Sequence, residues 1–192
     1  MVKTAVLVSG GGTNLQQLLD KRGSVIKTAD IALVVSSSEK AYALRRAEKG
    51  GVEALVIKNE TELQRALTER GIALIVLAGY MKILSADFTA KWRRRIINVH
   101  PALIPSFCGK GMYGLRVHEA ALDYGVKVTG ATVHFVNEIP DGGEIISQKA
   151  VAVEPDDTPE TLQRRVMEQA EWILLPEAVE KVAKEIENGR SA

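Results

Sequence analysis

The chain has 192 residues, 46% hydrophobic and 26% charged, with a formal net charge of +1. So small a net charge makes no case for DNA, RNA or an anionic membrane as a partner. The lone Cys108 excludes an intrachain disulfide and a multi-cysteine zinc site, and no stretch nears the roughly 20 apolar residues of a membrane helix.

The first apolar run, residues 5 to 8, is too short for a signal-peptide core, which favours a cytoplasmic location. Thr4–Ser9 reads as a strand. It runs into Gly10-Gly11-Gly12-Thr13-Asn14 and then a helix over Asn14–Lys21 with Leu15, Leu18 and Leu19 on one face. Strands are predicted at Ile31–Ser36, Ala54–Ile57, Ala73–Leu77 and Ile96–His100, with helices between them at Ala41–Lys49, Glu60–Arg70 and Ala86–Arg93. This alternation is that of an α/β fold. Unbroken apolar runs such as Ala73-Leu74-Ile75-Val76-Leu77 predict strands buried on both faces, hence a parallel sheet with helices on both faces.

Beyond residue 100 the pattern changes. Pro101 to Tyr113 is predicted as a loop, in which Ile104-Pro105 is a candidate cis bond, and Leu115–Tyr124 as a helix. Lys127–Asn137 and Ile145–Val153 read as an antiparallel pair joined through Asp141. Thr158-Pro159-Glu160 is a helix start, and Leu162, Val166, Ala170 and Ile173 form its apolar face up to a kink or break at Pro176. Without repeats or linkers, residues 1–192 are expected to form one domain.

Three pieces carry chemistry. The order strand, glycines, helix places backbone N–H groups and a positive helix end around an anion. Thr13 and Asn14 could cap that helix or donate to phosphate oxygens, though a tight turn with an ordinary cap explains the same residues. No Walker lysine follows, and Leu15 sits where a dinucleotide fingerprint needs a third small residue. Second, Asn98 and His100 share one strand face while Val99 packs. An amide and an imidazole presented together can polarise a carbonyl and move a proton. Third, Asp141, between Pro140 and two glycines, is a turn residue whose carboxylate gains meaning only beside Asn98 and His100. Thr132 and His134 share a strand face, His134 as a core or supporting residue bonded to a neighbour. His118 is expected at a surface or cap. Arg93-Arg94-Arg95 is expected on a solvated face at a helix end.

The segments Asn98-Val99-His100-Pro101-Ala102-Leu103-Ile104-Pro105, Thr129-Gly130-Ala131-Thr132-Val133-His134-Phe135-Val136 and Asp141-Gly142-Gly143 together resemble the folate-dependent formyltransferases. Ser9 to Leu15 and Leu77 to Leu84 narrow the likeness to the members that act on glycinamide ribonucleotide, over essentially the whole chain. The resemblance implies a Rossmann-like half, residues 1–100, that binds phosphate. Residues 101–192 would continue it as a mixed sheet carrying the folate pocket and the catalytic loop.

The implied reaction moves a formyl group from 10-formyltetrahydrofolate to the amine of glycinamide ribonucleotide in purine biosynthesis. Asn98, His100 and Asp141 match the catalytic trio. Gly12, Thr13 and Asn14 match the phosphate site, with Glu171 for the ribose. Met81, Lys82, Ile83 and Leu84, with Asn98 and Asp141, match the folate pocket. Asn98, and His100 if protonated, would stabilise the oxyanion, with Asp141 favouring the imidazolium by charge pairing. Neither metal nor redox cofactor is needed for a formyl group that arrives activated. The implied partners are these small molecules, with no nucleic acid or membrane, and a homodimer stays open. The alternatives are a formyltetrahydrofolate deformylase, which usually carries a regulatory domain in front, and a non-catalytic folate- or nucleotide-binding protein. Methionyl-tRNA formyltransferase normally adds a tRNA-binding domain, and a dinucleotide-dependent oxidoreductase would need the better fingerprint.

Overall fold

The computed structural model describes residues 1–189. Seven strands form one sheet in the order β3-β2-β1-β4-β5-β6-β7. The strands β1 (Val2–Val8), β2 (Ala29–Ser36), β3 (Glu53–Val56), β4 (Leu74–Leu77) and β5 (Ile96–His100) are parallel. β6 (Val128–Phe135) runs antiparallel to β5, and β7 (Ile145–Ala152) antiparallel to β6. The Rossmann-like half continued as a mixed sheet is therefore the observed architecture.

Strand alternation divides the core. Val6 and Val8 of β1 face one layer with Leu15, Leu18, Val179 and Val182, while Ala5 and Leu7 face the other with Leu63, Leu67 and Phe88. The first layer is built from α1 (Thr13–Asp20), α2 (Ala43–Lys49) and the C-terminal helices, and the second from α3 (Glu60–Glu69) and α4 (Ala86–Lys91). Helices on both faces explain why the central strands are apolar on both sides. The chain order reverses between β1 and β4, so their carboxyl ends flank a crevice of the kind that binds ligands in open α/β sheets.

Three expectations change. The helix from Thr158 begins as predicted, with Thr158 and Thr161 in a reciprocal capping box, and α6 spans Pro159–Val166. Met167–Glu171 then form a π turn, and α7 (Trp172–Glu187) runs on through Pro176 without ending there. The wider turn absorbs one extra residue. The apolar face therefore passes from Ala170 to Leu174 and Leu175, and Ile173, expected inside, is 38% exposed.

The arginine run is not simply solvated. Arg94 stacks on the Phe135 ring, 4.4 Å from its centroid, and pairs with Glu144, while Arg95 donates to the Ala73 carbonyl at 3.3 Å. His118, expected at the surface of α5 (Leu115–Tyr124), is fully buried. Its helix face turns toward the loop that follows β5.

Candidate active site

The glycine turn leaves β1 at the crevice. Gly12, at φ +72°, occupies the N-cap of α1 without any side-chain cap, so neither Thr13 nor Asn14 serves that role. A Cβ on Gly12 would lie 2.6 Å from the Ala43 Cβ, which leaves no room for a larger residue. Among the described residues, the N–H groups of Gly11, Gly12, Thr13 and Asn14 find no protein acceptor. Four free donors beside a positive helix end suit an anion. Asn14 reaches across to the π turn, where its Nδ2 donates to Glu171 Oε2 at 2.8 Å. Glu171 is buried, and burial raises its carboxyl pKa above the usual range despite the Asn14 bond.

Asn98 and His100 sit at the end of β5, opposite His134 and Thr132 of β6. His134 Nδ1 donates to the Phe135 carbonyl at 2.8 Å, which leaves Nε2 to accept from Asn98 Nδ2 at 3.2 Å. One N–H of the Asn98 amide is thereby fixed, and the other remains for the cleft. Thr132 Oγ1 donates to the Ala102 carbonyl at 2.7 Å and accepts from Ile104 N at 3.1 Å, pinning the chain just after His100. The Ile104–Pro105 bond in that segment is cis.

Asp141 sits at φ +56°, in the left-handed region that Asp tolerates better than most residues. Its Oδ2 accepts from Gly109 N at 2.9 Å and lies 3.5 Å from His100 Nδ1, and its Oδ1 lies 3.5 Å from His134 Nε2. Burial by itself would raise the Asp141 pKa. The His134 contact, the His100 charge and the Gly109 N–H outweigh it and hold the carboxyl below its usual value.

His100 shows the opposite balance. Burial lowers its pKa more than Asp141 and the Phe107 carbonyl raise it. The dry site thus works against the imidazolium, while Asp141 works for it. His100 Nε2 is 2.8 Å from the Phe107 carbonyl, which can only accept, so Nε2 carries the proton.

The trio opens onto a cleft of about 460 Å³ lined by Asn14, Asn98, His100, Asp141, Met167 and Glu171, together with the loop from Gly109 to Gly114. Asn98 and Asp141 also line an adjoining lobe of about 130 Å³ with Tyr80, Lys82, Ile83, Leu84, His134 and Val136. Met81 and Lys82 are on the first wall and Lys82, Ile83 and Leu84 on the second, so every residue expected at the folate pocket lies along these two lobes. The glycine turn stays on its own rim, tied to the cleft through Asn14.

Several groups that shape the site were not singled out from sequence. Ser9 Oγ bonds Ser37 Oγ at 2.7 Å and accepts from Met81 N at 2.9 Å, joining the strand before the glycine turn to the opposite wall. The Phe107 carbonyl and Gly109 amide grip His100 and Asp141, yet backbone atoms leave no mark in a sequence. His118 lines the cleft with both ring nitrogens unpartnered, and burial, then His100, lower its pKa to about 4. No group of three His, Cys, Asp or Glu side chains suited to a metal occurs among the described residues. No helix there is long and apolar enough to cross a membrane.

The formyl transferase family profile matches residues 2–179. The chain belongs to the formyl transferase family. A phosphoribosylglycinamide formyltransferase of Haemophilus influenzae is 40% identical over 178 residues, covering 88% of this formyl transferase and 82% of that protein. A trifunctional purine biosynthetic protein adenosine-3 of Gallus gallus is 44% identical over 95% of this chain. The chain spans only 18% of the length of that relative. The crystal structure of the phosphoribosylglycinamide formyltransferase of Anaplasma phagocytophilum superposes with a TM-score of 0.88 at 35% identity, covering 96% of this formyl transferase and 87% of that chain.

Proposed function

We propose that this formyl transferase moves the formyl group of 10-formyltetrahydrofolate to the amine of glycinamide ribonucleotide, in the cytosol, as a step of purine biosynthesis. One observation carries the proposal. Asn98 and Asp141 stand where two lobes meet, one lined by the buried Glu171 and by Asn14, which ties it to the glycine turn, the other lined by Leu84, Ile83 and Val136. The first suits a phosphorylated ribose, the second a flat pteridine, whose ring faces would lie between the apolar side chains.

The amine nitrogen attacks the formyl carbon, and charge gathers on the formyl oxygen. The free N–H of Asn98 donates to that oxygen, with the amide held in place by His134. The attacking nitrogen sheds one proton as its new C–N bond forms. Asp141 and His100 Nδ1 face each other as two acceptors, and they take that proton together. The resulting imidazolium is held between the Phe107 carbonyl and Asp141 and adds its charge to oxyanion stabilisation. The same proton then goes to N10 of the folate as the old C–N bond breaks, so one proton leaves the amine and one arrives at the leaving nitrogen. Glu171 and the glycine turn hold the nucleotide end.

The test mixes the protein with glycinamide ribonucleotide and 10-formyltetrahydrofolate and follows folate absorbance with and without the amine. Formyl loss that requires the amine, with formylated nucleotide as product, supports the proposal. Equal loss without the amine would identify a deformylase. Binding of both ligands without turnover would leave a folate- and nucleotide-binding protein.

A further inference from the structure

The glycine turn is braced from behind by α2. Ala43 N donates to the Gly10 carbonyl at 3.1 Å, and Arg46 Nε donates to the Gly11 carbonyl at 2.9 Å. A trans peptide points its carbonyl and its following N–H in opposite directions. Two carbonyls turned toward α2 therefore turn the N–H groups of Gly11 and Gly12 away from it. These are two of the N–H groups that lack a protein partner.

Arg46 is itself held rigidly. Its Nη1 donates to Gln16 Oε1 on α1 at 2.9 Å, and its guanidinium lies 5.1 Å from the Tyr42 ring centroid. Both acceptors are neutral, and among the described residues no carboxylate pairs with Arg46. The half-buried positive charge therefore adds to the field at the turn instead of being cancelled. Ala43 fits against Gly12 with no space for a Cβ, so helix and turn meet as one unit.

We propose that Arg46 is a positioning residue for the substrate phosphate: by drawing the Gly11 carbonyl toward α2 it aims the Gly12 N–H at the anion and supplies an unneutralised charge behind it. The role rests on the formyl-transfer function proposed above and concerns nucleotide binding alone. Arg46 lies on the outer side of the turn and lines neither lobe of the cleft.

Steady-state kinetics of Arg46→Ala and Arg46→Gln test the role, with inorganic phosphate as a competitive inhibitor against glycinamide ribonucleotide. The KM for the nucleotide and the inhibition constant of phosphate are expected to rise together, by about tenfold to a hundredfold, the span of one charge-assisted hydrogen bond. The kcat and the KM for 10-formyltetrahydrofolate should stay within about twofold of wild type. Arg46→Gln keeps the stem and one donor group, so it carries the test if the alanine variant does not fold. An unchanged nucleotide KM in a folded variant overturns the role, as does a matching rise in the folate KM. Wild type that fails to formylate the nucleotide would instead refute the function on which the role depends.

Discussion

His100 Nδ1 and Asp141 Oδ2 lie 3.5 Å apart, with the other His100 nitrogen already donating to the Phe107 carbonyl. In the neutral ring, Nδ1 is an acceptor that faces a second acceptor. Such a pair is one proton short, and amine attack is a step that delivers one.

Asp141→Asn removes the anion and keeps the shape. The kcat is expected to fall by about 10²- to 10⁴-fold, the usual weight of a positioned acid–base group. Asp141 is also what raises the His100 pKa against burial, so the variant should titrate His100 still lower than wild type does. Turnover by absorbance and the His100 titration by NMR check both parts. Near-normal turnover would remove Asp141 from the chemistry.

Asn98→Ala deletes the oxyanion donor and should raise the barrier by about 2.7–4 kcal/mol, read in kcat. His134→Leu leaves the Asn98 amide without its anchor and should lower kcat by about tenfold, while folate binding changes little. The double variant should lose less than the sum of the two single losses, because His134 acts partly through Asn98 and partly through its contact with Asp141. Fully additive losses would show that His134 does not act through Asn98.

Gly143→Ala tests the seat of the catalytic loop. A Cβ at Gly143 would stand 1.7 Å from the Phe135 carbonyl oxygen, on backbone that cannot yield locally. The loop must shift, and Asp141, two residues away, must shift with it. Stability should drop by about 1–3 kcal/mol, as for other overpacking changes. The kcat should drop by more than that stability loss explains, because small misplacements of a catalytic group are costly. Denaturant melts beside turnover separate the two effects, and a kcat within about twofold of wild type would contradict this.

His118 makes stability depend on pH. Its folded pKa of about 4 lies below the ordinary histidine value of 6.5. Between those values the unfolded chain takes up a proton that the folded chain refuses. The contribution of the neutral ring is thus present above about pH 6.5 and lost as the pH falls toward 4, to a limit of about 3 kcal/mol. Urea midpoints at pH 7 and pH 4.5 should therefore converge in His118→Leu relative to wild type. Equal slopes in the two proteins would refute the assignment.

The π turn marks where sequence patterns lose their hold. A 3.6-residue repeat assigns Ile173 to the core, and only the extra residue in the turn sends it outward and seats Glu171 beside Asn14. His118 went astray for a related reason: a helical histidine reads as polar, and α6, from much later in the chain, packs against its helix. Asn98 and His100 were legible as a pair because strand alternation is a local fact, whereas Asp141 read locally as a turn residue and only the family resemblance joined it to them.

The sequence alone determined the parallel strands, the glycine turn and the antiparallel pair around Asp141, since periodicity and turn preference act over a few neighbouring residues. Tertiary structure decided the burial of His100, His118 and Glu171, the pairing of His134 with Asn98, and the direction of the glycine-turn donors. Each of these depends on desolvation or on a hydrogen bond to a distant segment, and both exist only once the chain has closed on itself.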